Sequence, residues 1–262
     1  MIHNDMEANM KIRSITMAAL VMCCVGTNPI NAQQGSGGTP SQQSVYRDLA
    51  AWRHAEAREI LEEQKATAGK SAGSHIAWAV MLAQERKLDQ AVQQLSKATR
   101  QDKSDPAAAY FLGEVQSWKK QNASATKAWR QARDRARAIL KEDKRNGWAM
   151  YWQGAALIRL REYAKAEAQL KKALKKGADR AMGEYQLGLA QMYQKKWEPA
   201  RAAFNRCLRA DSGFSHAYYY RGRVWQELGK TEKMLLDMDR FLKLAPDARE
   251  ANAAKSILRA GG

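Results

Sequence analysis

The sequence is poor in the residues that end helices, bind metals or form catalytic motifs. It contains five prolines, three cysteines and four histidines among 262 residues. The histidines are widely separated, without the spacing of metal ligands, and the chain has no glycine-rich phosphate loop, nucleophilic-serine motif or paired acid motif. We therefore expect a protein that is not an enzyme and that needs neither a metal nor a cofactor.

Strand-like alternation of apolar and polar residues is also almost absent from the sequence. Alanine, glutamine, lysine, arginine, glutamate and leucine dominate instead, and these residues favour helices. The composition therefore predicts an all-α fold.

The N-terminal region has an apolar run, residues 15–25, that is too short to span a bilayer, which needs about 20 residues. The run follows Lys11 and Arg13 and precedes a small residue, Ala32, in the order typical of a secretory signal peptide. We predict a signal peptide over 1–32, cleavage after Ala32 and export to the periplasm. Residues 33–43 are polar and rich in glycine, serine and glutamine, which predicts a flexible linker.

Two alternatives for this region stay open. Cys23 follows Leu20 at the spacing of a lipoprotein signal, although Met22 stands where a small residue is expected. The alternative to a free periplasmic protein is thus a lipid-anchored envelope lipoprotein, attached through Cys23. The start of translation is either Met1 or Met10, because the first nine residues add acidic side chains that signal peptides usually lack.

A repeat occupies most of the remaining chain. Small residues recur at Ala79, Gly113, Gly154, Gly188 and Gly222, in steps of 34, 41, 34 and 34 residues. Glycine is unfavourable inside a helix by about 1 kcal/mol relative to alanine, so we expect another helix backbone to come very close at these points.

Three further positions recur after each of these small residues. The residue 12 positions later is small in most units, the residue 16 positions later is large and apolar, and the residue 19 positions later is again small in most units. The large residues are Leu95, Trp129, Leu170, Phe204 and Met238. The third set is Ala98, Ala132, Ala173, Cys207 and Phe241, and Cys207 is expected to be a buried, unreactive thiol.

These residues resemble the tetratricopeptide repeat (TPR) family. Five units match, at 72–105, 106–139, 147–180, 181–214 and 215–248. The resemblance implies a right-handed α-solenoid of antiparallel helix pairs, in which stacked neighbours bury the apolar face that one pair cannot bury alone. Outside the five units, we expect an N-terminal capping helix or half repeat over 44–71 and a C-terminal capping helix and tail over 249–262.

Three local features complete the predicted fold. The seven extra residues between the second and third units are expected to lengthen a second helix by about two turns, with Asn146 ending it. Asp247 and Glu250 have the spacing of a capping box at the start of the last helix. Asp237 is expected to face solvent.

The resemblance also implies a binding groove, because the first helices line the concave side in this family. The residue three positions before each small residue points toward the groove, and it is a tyrosine in four units. Tyrosine and tryptophan offer a large contact area at low entropy cost. The predicted peptide- or protein-binding groove comprises Tyr110, Trp118, Trp148, Tyr151, Arg159, Tyr185, Tyr193, His216, Tyr219 and Arg223.

The distribution of charged residues along the sequence suggests a second binding surface. The net charge is +17, and residues 119–180 hold 18 lysines and arginines against six acidic residues. Many of these cations fall on second helices, which form the convex side in the family. The predicted basic convex face comprises Lys127, Arg130, Arg133, Arg137, Lys171, Lys172, Lys175 and Lys176.

These observations favour a non-enzymatic scaffold or adaptor of the bacterial cell envelope that binds a peptide or protein segment in its concave groove. The alternative is a basic scaffold that docks on an anionic membrane surface, an acidic protein or an acidic polymer through its convex face. An exported protein seldom meets nucleic acid, so a nucleic-acid partner is not expected.

Overall fold

The computed structural model describes residues 72–261, which form eleven α-helices and, over that range, no strand. The predicted signal peptide, the linker and the N-terminal half repeat lie outside these residues. The helices are α1 Ala72–Gln84, α2 Leu88–Gln101, α3 Pro106–Trp118, α4 Asn122–Glu142, α5 Gly147–Arg159, α6 Tyr163–Lys175, α7 Arg180–Tyr193, α8 Trp197–Ala210, α9 Ser215–Glu227, α10 Thr231–Leu244 and α11 Ala251–Gly261.

The helices pack as a linear stack of pairs. Within each pair a short turn joins two helices that lie against each other, from α1 with α2 to α9 with α10. Each second helix also contacts the first helix of the next pair, and successive first helices contact one another directly. The first helices therefore lie side by side along one surface. This arrangement confirms the predicted all-α stack of helix pairs.

The starts of three first helices are fixed by capping side chains. The carboxylates of Asp105 and Asp179 and the amide oxygen of Asn146 accept hydrogen bonds from backbone N–H groups at the starts of α3, α7 and α5. Such caps stabilise a helix by about 1 kcal/mol. Asn146 thus begins a helix and does not end one, because α4 already ends at Glu142. At 21 residues, α4 is longer than its 13- and 14-residue neighbours, as the insertion predicted.

Each repeated glycine accommodates the large apolar side chain of its own pair. A Cβ atom added at Gly154 would lie 2.6 Å from Cγ of Leu170, and one at Gly188 would lie 2.6 Å from Cε1 of Phe204. Gly113 is equally close to the Trp129 indole. The expected close approach is therefore real, but a side chain makes it, not a helix backbone.

The last unit departs from the predicted details. The helix α11 begins at Ala251, and the backbone carbonyl of Glu250 accepts from the N–H of Ala254, so Asp247 lies in the preceding turn and does not cap the helix. Asp237 is buried, and both of its carboxylate oxygens accept hydrogen bonds from the Arg221 guanidinium, at 2.8 and 2.6 Å. The expectation that Asp237 faces solvent is wrong, because Arg221, 16 residues earlier on the facing helix, pairs with its carboxylate.

Candidate functional site

The inner surface of the stack is built from the first helices α3, α5, α7 and α9. The tyrosine ladder predicted to line it, Tyr110, Tyr151, Tyr185 and Tyr219, is almost fully buried, with exposed fractions of 0, 1, 0 and 5%. The Tyr185 ring, for example, packs against Phe204, Phe214 and Tyr220. The expectation that these rings form an exposed aromatic ladder is therefore corrected. Their part in binding stays a prediction.

Other predicted groove residues remain partly exposed. Trp118, Trp148, Tyr193 and Arg223 each keep some contact with solvent. The Trp148 ring stacks on Tyr151 with a centroid separation of 5.9 Å and an interplanar angle of 18°. These four side chains come from four successive units, so they are the accessible part of the predicted groove.

Tyr193 and Trp118 are oriented by neighbours from other parts of the chain. Tyr193 stacks on Tyr163 of the preceding unit, with ring centroids 5.0 Å apart. The guanidinium of Arg249, in the turn before α11, lies 5.8 Å from the Trp118 ring centroid. A cation at this distance from an indole face is attracted to the ring. The turn before α11 therefore reaches the same inner surface as α3.

Arg159 is not a free charge on the groove. Its side chain is buried, and its guanidinium donates to both carboxylate oxygens of Glu114, at 2.7 and 2.5 Å. It also donates to the Tyr110 hydroxyl at 3.0 Å, while the Trp129 indole N–H donates to Glu114 at 2.9 Å. Burial acts against the charge, but the adjacent Glu114 carboxylate raises the pKa of Arg159 above its ordinary value. The prediction of Arg159 as a groove residue is corrected: it joins α3 to α5.

Glu114 is the residue that sequence reasoning missed in this cluster. It stands one position after the repeated glycine of its helix, where the third and fourth units have Ala155 and Leu189. An acidic residue at an inner position was the signal available, because a buried carboxylate requires a partner. The sequence did not show that Arg159 was that partner.

His216 is also buried, so its imidazole is not exposed in the groove. Its Nδ1 lies 3.0 Å from the Ser215 hydroxyl, and its Nε2 lies 3.5 Å from a carboxylate oxygen of Glu250. The imidazole packs against the Phe241 ring at a centroid distance of 5.3 Å. The last unit has Phe241 where the other units have alanine or cysteine, and this large ring fills the space beside the histidine.

Comparison with known proteins identifies the repeat. The family model for the tetratricopeptide repeat matches residues 183–212, which include α8 and most of α7. The crystal structure of a thermophilic TPR protein in Thermus thermophilus has the same fold, with a TM-score of 0.56, 17% identity, and coverage of 72% of this chain and 99% of that one. Residues 183–212 therefore match a tetratricopeptide repeat, and the described residues have the TPR fold.

Two other solved structures are similar to this chain. In the hetero-tetramer Cut9–Hcn1 of the APC/C, one chain matches with a TM-score of 0.54 and 15% identity, over 84% of the TPR chain described here and 42% of its own length. YrrB, described as a TPR protein with an unusual peptide-binding site, is 24% identical over 76% of this chain and 97% of that one, with a TM-score of 0.42. No curated protein sequence matches the chain.

The second helices of the TPR array expose the predicted basic face. Lys127, Arg130 and Arg137 on α4 are exposed, as are Lys171, Lys172 and Lys175 on α6 and Lys176 directly after it. Arg133 is partly exposed at 31% and donates to Asp134 at 2.8 Å. A role for this face in binding stays a prediction.

Two further kinds of site are absent from the described part of the TPR protein. Among residues 72–261, no three His, Cys, Asp or Glu side chains are grouped so that they could hold a metal ion. None of the helices in that range combines the length and the apolar character needed to cross a bilayer.

Proposed function

We propose that this TPR protein is an adaptor of the bacterial cell envelope that binds a segment of another protein on the inner surface of its first helices. The TPR fold is that of a protein–protein interaction scaffold, and TPR proteins are generally not enzymes. Two points go beyond this general role of the fold: binding in the inner groove and location in the cell envelope.

The observation that carries the groove is the set of partly exposed side chains on successive first helices. Trp118, Trp148, Tyr193 and Arg223 come from four units whose first helices contact one another. Amphipathic aromatic residues on a rigid surface suit a binding site, because little side-chain freedom is lost on contact. An extended or helical segment could thus be contacted by several units at once.

Site-specific photo-crosslinking in cells tests the inner surface. The photoreactive residue p-benzoylphenylalanine replaces Trp148 or Tyr193 in one set of variants, and the exposed outer residues Gln131 or Ala168 in the control set. We expect discrete protein adducts from the inner positions only. Adducts from the outer positions alone would reject the groove. Tyr151→Ala and Tyr185→Ala are poor tests, because removing a buried aromatic ring costs about 3–5 kcal/mol of stability.

The envelope location has its own test. Cell fractionation followed by mass spectrometry of the mature protein should give a periplasmic chain that begins at Gln33. A lipid-modified Cys23 at the N-terminus would establish the lipoprotein alternative. A cytosolic chain that keeps residues 1–32 would contradict both.

The exposed cations of α4 and α6 favour a second candidate, in which the outer face docks on an anionic membrane surface, an acidic protein or an acidic polymer. Exposed charges are screened beyond about 8 Å at physiological ionic strength. Binding of this kind should therefore fall steeply as salt is added, and binding that is indifferent to salt would exclude it.

A further inference from the structure

A row of cations follows the turns that join the two helices of each pair. At the equivalent position of every such turn the backbone has a positive φ: 65° at Arg86, 62° at Lys120, 64° at Arg161, 58° at Lys195 and 67° at Gly229. The same hydrogen bond closes all five turns. In each, the residue after the positive-φ position donates its N–H to a carbonyl five residues earlier, as Glu162 does to Leu157 at 2.9 Å.

This position is one that glycine normally occupies. The turn is a Schellman motif, whose left-handed residue is usually glycine because a Cβ atom disfavours that conformation. Only the fifth turn has glycine, whereas the first four have arginine or lysine. Four long cationic side chains thus stand where the local backbone favours a residue with no side chain. The turn geometry does not account for these residues, and the property that all four share is a positive charge.

The four cations share one edge of the stack. Ion pairs link neighbouring units along this edge in two places. Lys119 in the second turn pairs with Asp89, which lies two residues after the first turn. In the same way, Lys196 in the fourth turn lies 2.7 Å from Glu167 just beyond the third. First helices that contact one another are about 8–10 Å apart. The positive-φ residues therefore recur along the edge at roughly that interval.

Charge separates this edge from the opposite one. The turns within pairs, at 85–87, 119–121, 160–162, 194–196 and 228–230, hold eight basic and two acidic residues. The turns between pairs, at 102–105, 143–146, 176–179 and 211–214, hold four basic and five acidic residues. Arg86, Lys120, Arg161 and Lys195 are all exposed, and among the described residues none of them forms an ion pair. The positive potential is thus concentrated along one edge.

From this geometry we propose that the edge carrying Arg86, Lys120, Arg161 and Lys195 is a docking surface for an acidic helical segment of a protein partner. Residues seven apart on a helix share one face and are about 10 Å apart along its axis, which matches the interval of the row. The four cations belong neither to the inner groove nor to the basic face of α4 and α6, although Trp118 and Tyr193 of the groove lie two residues before Lys120 and Lys195. The edge therefore goes beyond the proposed function, and changes of charge at the four cations test it separately.

The test uses the full-length protein and a labelled helical peptide of about 20 residues, long enough to span the four cations. The peptide carries glutamate pairs every seven residues on one face, and a second peptide of identical composition spreads them around the helix. Fluorescence anisotropy at low ionic strength measures the affinity of each. We expect the one-face peptide to bind more tightly and both affinities to vanish in about 1 M salt, where the screening length is about 3 Å.

Two protein variants with the same loss of charge decide where the peptide binds. The edge variant combines Arg86→Gly, Lys120→Gly, Arg161→Gly and Lys195→Gly. Its stability should not fall, because glycine is favoured at a positive φ. The control variant combines Lys127→Gln, Arg130→Gln, Lys172→Gln and Lys175→Gln on the outer face. We expect about a tenfold loss of affinity in the edge variant, because each exposed ion pair contributes little by itself, and a smaller loss in the control.

Three results would overturn the proposal. One is an equal loss of affinity in the two variants, which would mean that only net charge matters. Another is equal binding of the two peptides, which would show that the spacing of the glutamates along one helix face does not affect the affinity. The third is edge-dependent binding of single-stranded DNA or of phosphatidylglycerol vesicles that is tighter than binding of the peptide, which would assign the edge to a different kind of partner. Photo-crosslinks at Trp148, near the start of α5 and away from the turn that follows this helix, are independent of all three results.

Discussion

Arg159 on α5 and Glu114 on α3 form a buried ion pair with two hydrogen bonds, of 2.7 and 2.5 Å, between successive TPR units. The side chains are 7 and 3% exposed. The pair sits on the inner surface, where sequence analysis had placed Arg159 as a binding residue. Its partner Glu114 also accepts from the Trp129 indole, so the cluster joins α3, α4 and α5.

Removing one member of this pair should destabilise the protein strongly. In Arg159→Met the Glu114 carboxylate remains buried without its cation, which typically costs about 3–5 kcal/mol. Urea denaturation followed by circular dichroism measures the loss. The matched control is Lys165→Met, which breaks an exposed pair with Glu162 and should cost at most about 1 kcal/mol. Equal losses in the two variants would contradict a structural role for the buried pair.

Adding a side-chain carbon at Gly154, where Leu170 packs closely, should also destabilise the protein. Gly154→Ala places a Cβ atom 2.6 Å from Leu170 Cγ, and such overpacking costs about 1–3 kcal/mol. At an exposed helix position the same change would stabilise the protein by about 1 kcal/mol, so the sign of the effect is informative. In a thermodynamic cycle, Leu170→Ala should cost less in the Gly154→Ala background than in the wild type. Additive effects would mean that the two residues do not compete for space.

The thiol of Cys207 should be unreactive in the folded protein. Cys207 is fully buried, and burial raises the pKa of its thiol well above the ordinary value. Because the thiolate is the reactive form, labelling requires opening of the structure. In a Cys23→Ser/Cys24→Ser variant, the rate of modification by iodoacetamide should be negligible in buffer and rise with urea along the unfolding transition. Fast labelling in buffer would show that α8 opens locally.

Glu167 should make the stability of the protein depend on acid pH. Burial acts against its charge, but hydrogen bonds from Lys171, Lys196, Gln191 and Gln194 outweigh burial and lower the pKa of Glu167 from 4.5 to about 2. Since its folded-state pKa is the lower one, Glu167 stabilises the fold above about pH 4.5, and the contribution is lost as the pH falls toward 2. Glu167→Gln should remove about 1–2 kcal/mol at neutral pH and flatten the acid side of the stability profile. An unchanged profile in denaturation curves between pH 3 and 7 would contradict this role.

Much of the fold was predictable because the repeat is a local pattern. Gly113, Gly154, Gly188 and Gly222 each precede a large apolar residue by 16 positions, and in the structure each glycine packs against that residue. A glycine inside a helix marks a close approach whatever the rest of the chain does. The sequence could not tell whether a backbone or a side chain makes the approach, since that depends on how the two helices are rotated about their axes.

The candidate site was less predictable, because exposure is a property of the assembled stack. Each ladder tyrosine lies three residues before the repeated glycine of its helix, but only the packing showed that Tyr110 and Tyr185 are buried while Trp118, Trp148 and Tyr193 keep contact with solvent. The ion pair of Arg221 with Asp237 is a different case, because the two residues are 16 positions apart, the same spacing that joins Gly222 to Met238, so the repeat pattern contained a signal for it.

The sequence alone determined that this protein is all-α, that its units are helix pairs and which residues fill the interface within each pair, because these properties follow from residue spacing along a helix. Only the tertiary structure decided which charges are buried and which are exposed. The Arg159 side chain is buried in an ion pair with Glu114. By contrast, the exposed cations Arg86, Lys120, Arg161 and Lys195 lie along one edge of the stack. The reason is that burial and alignment depend on contacts between different units, which form only when the units stack.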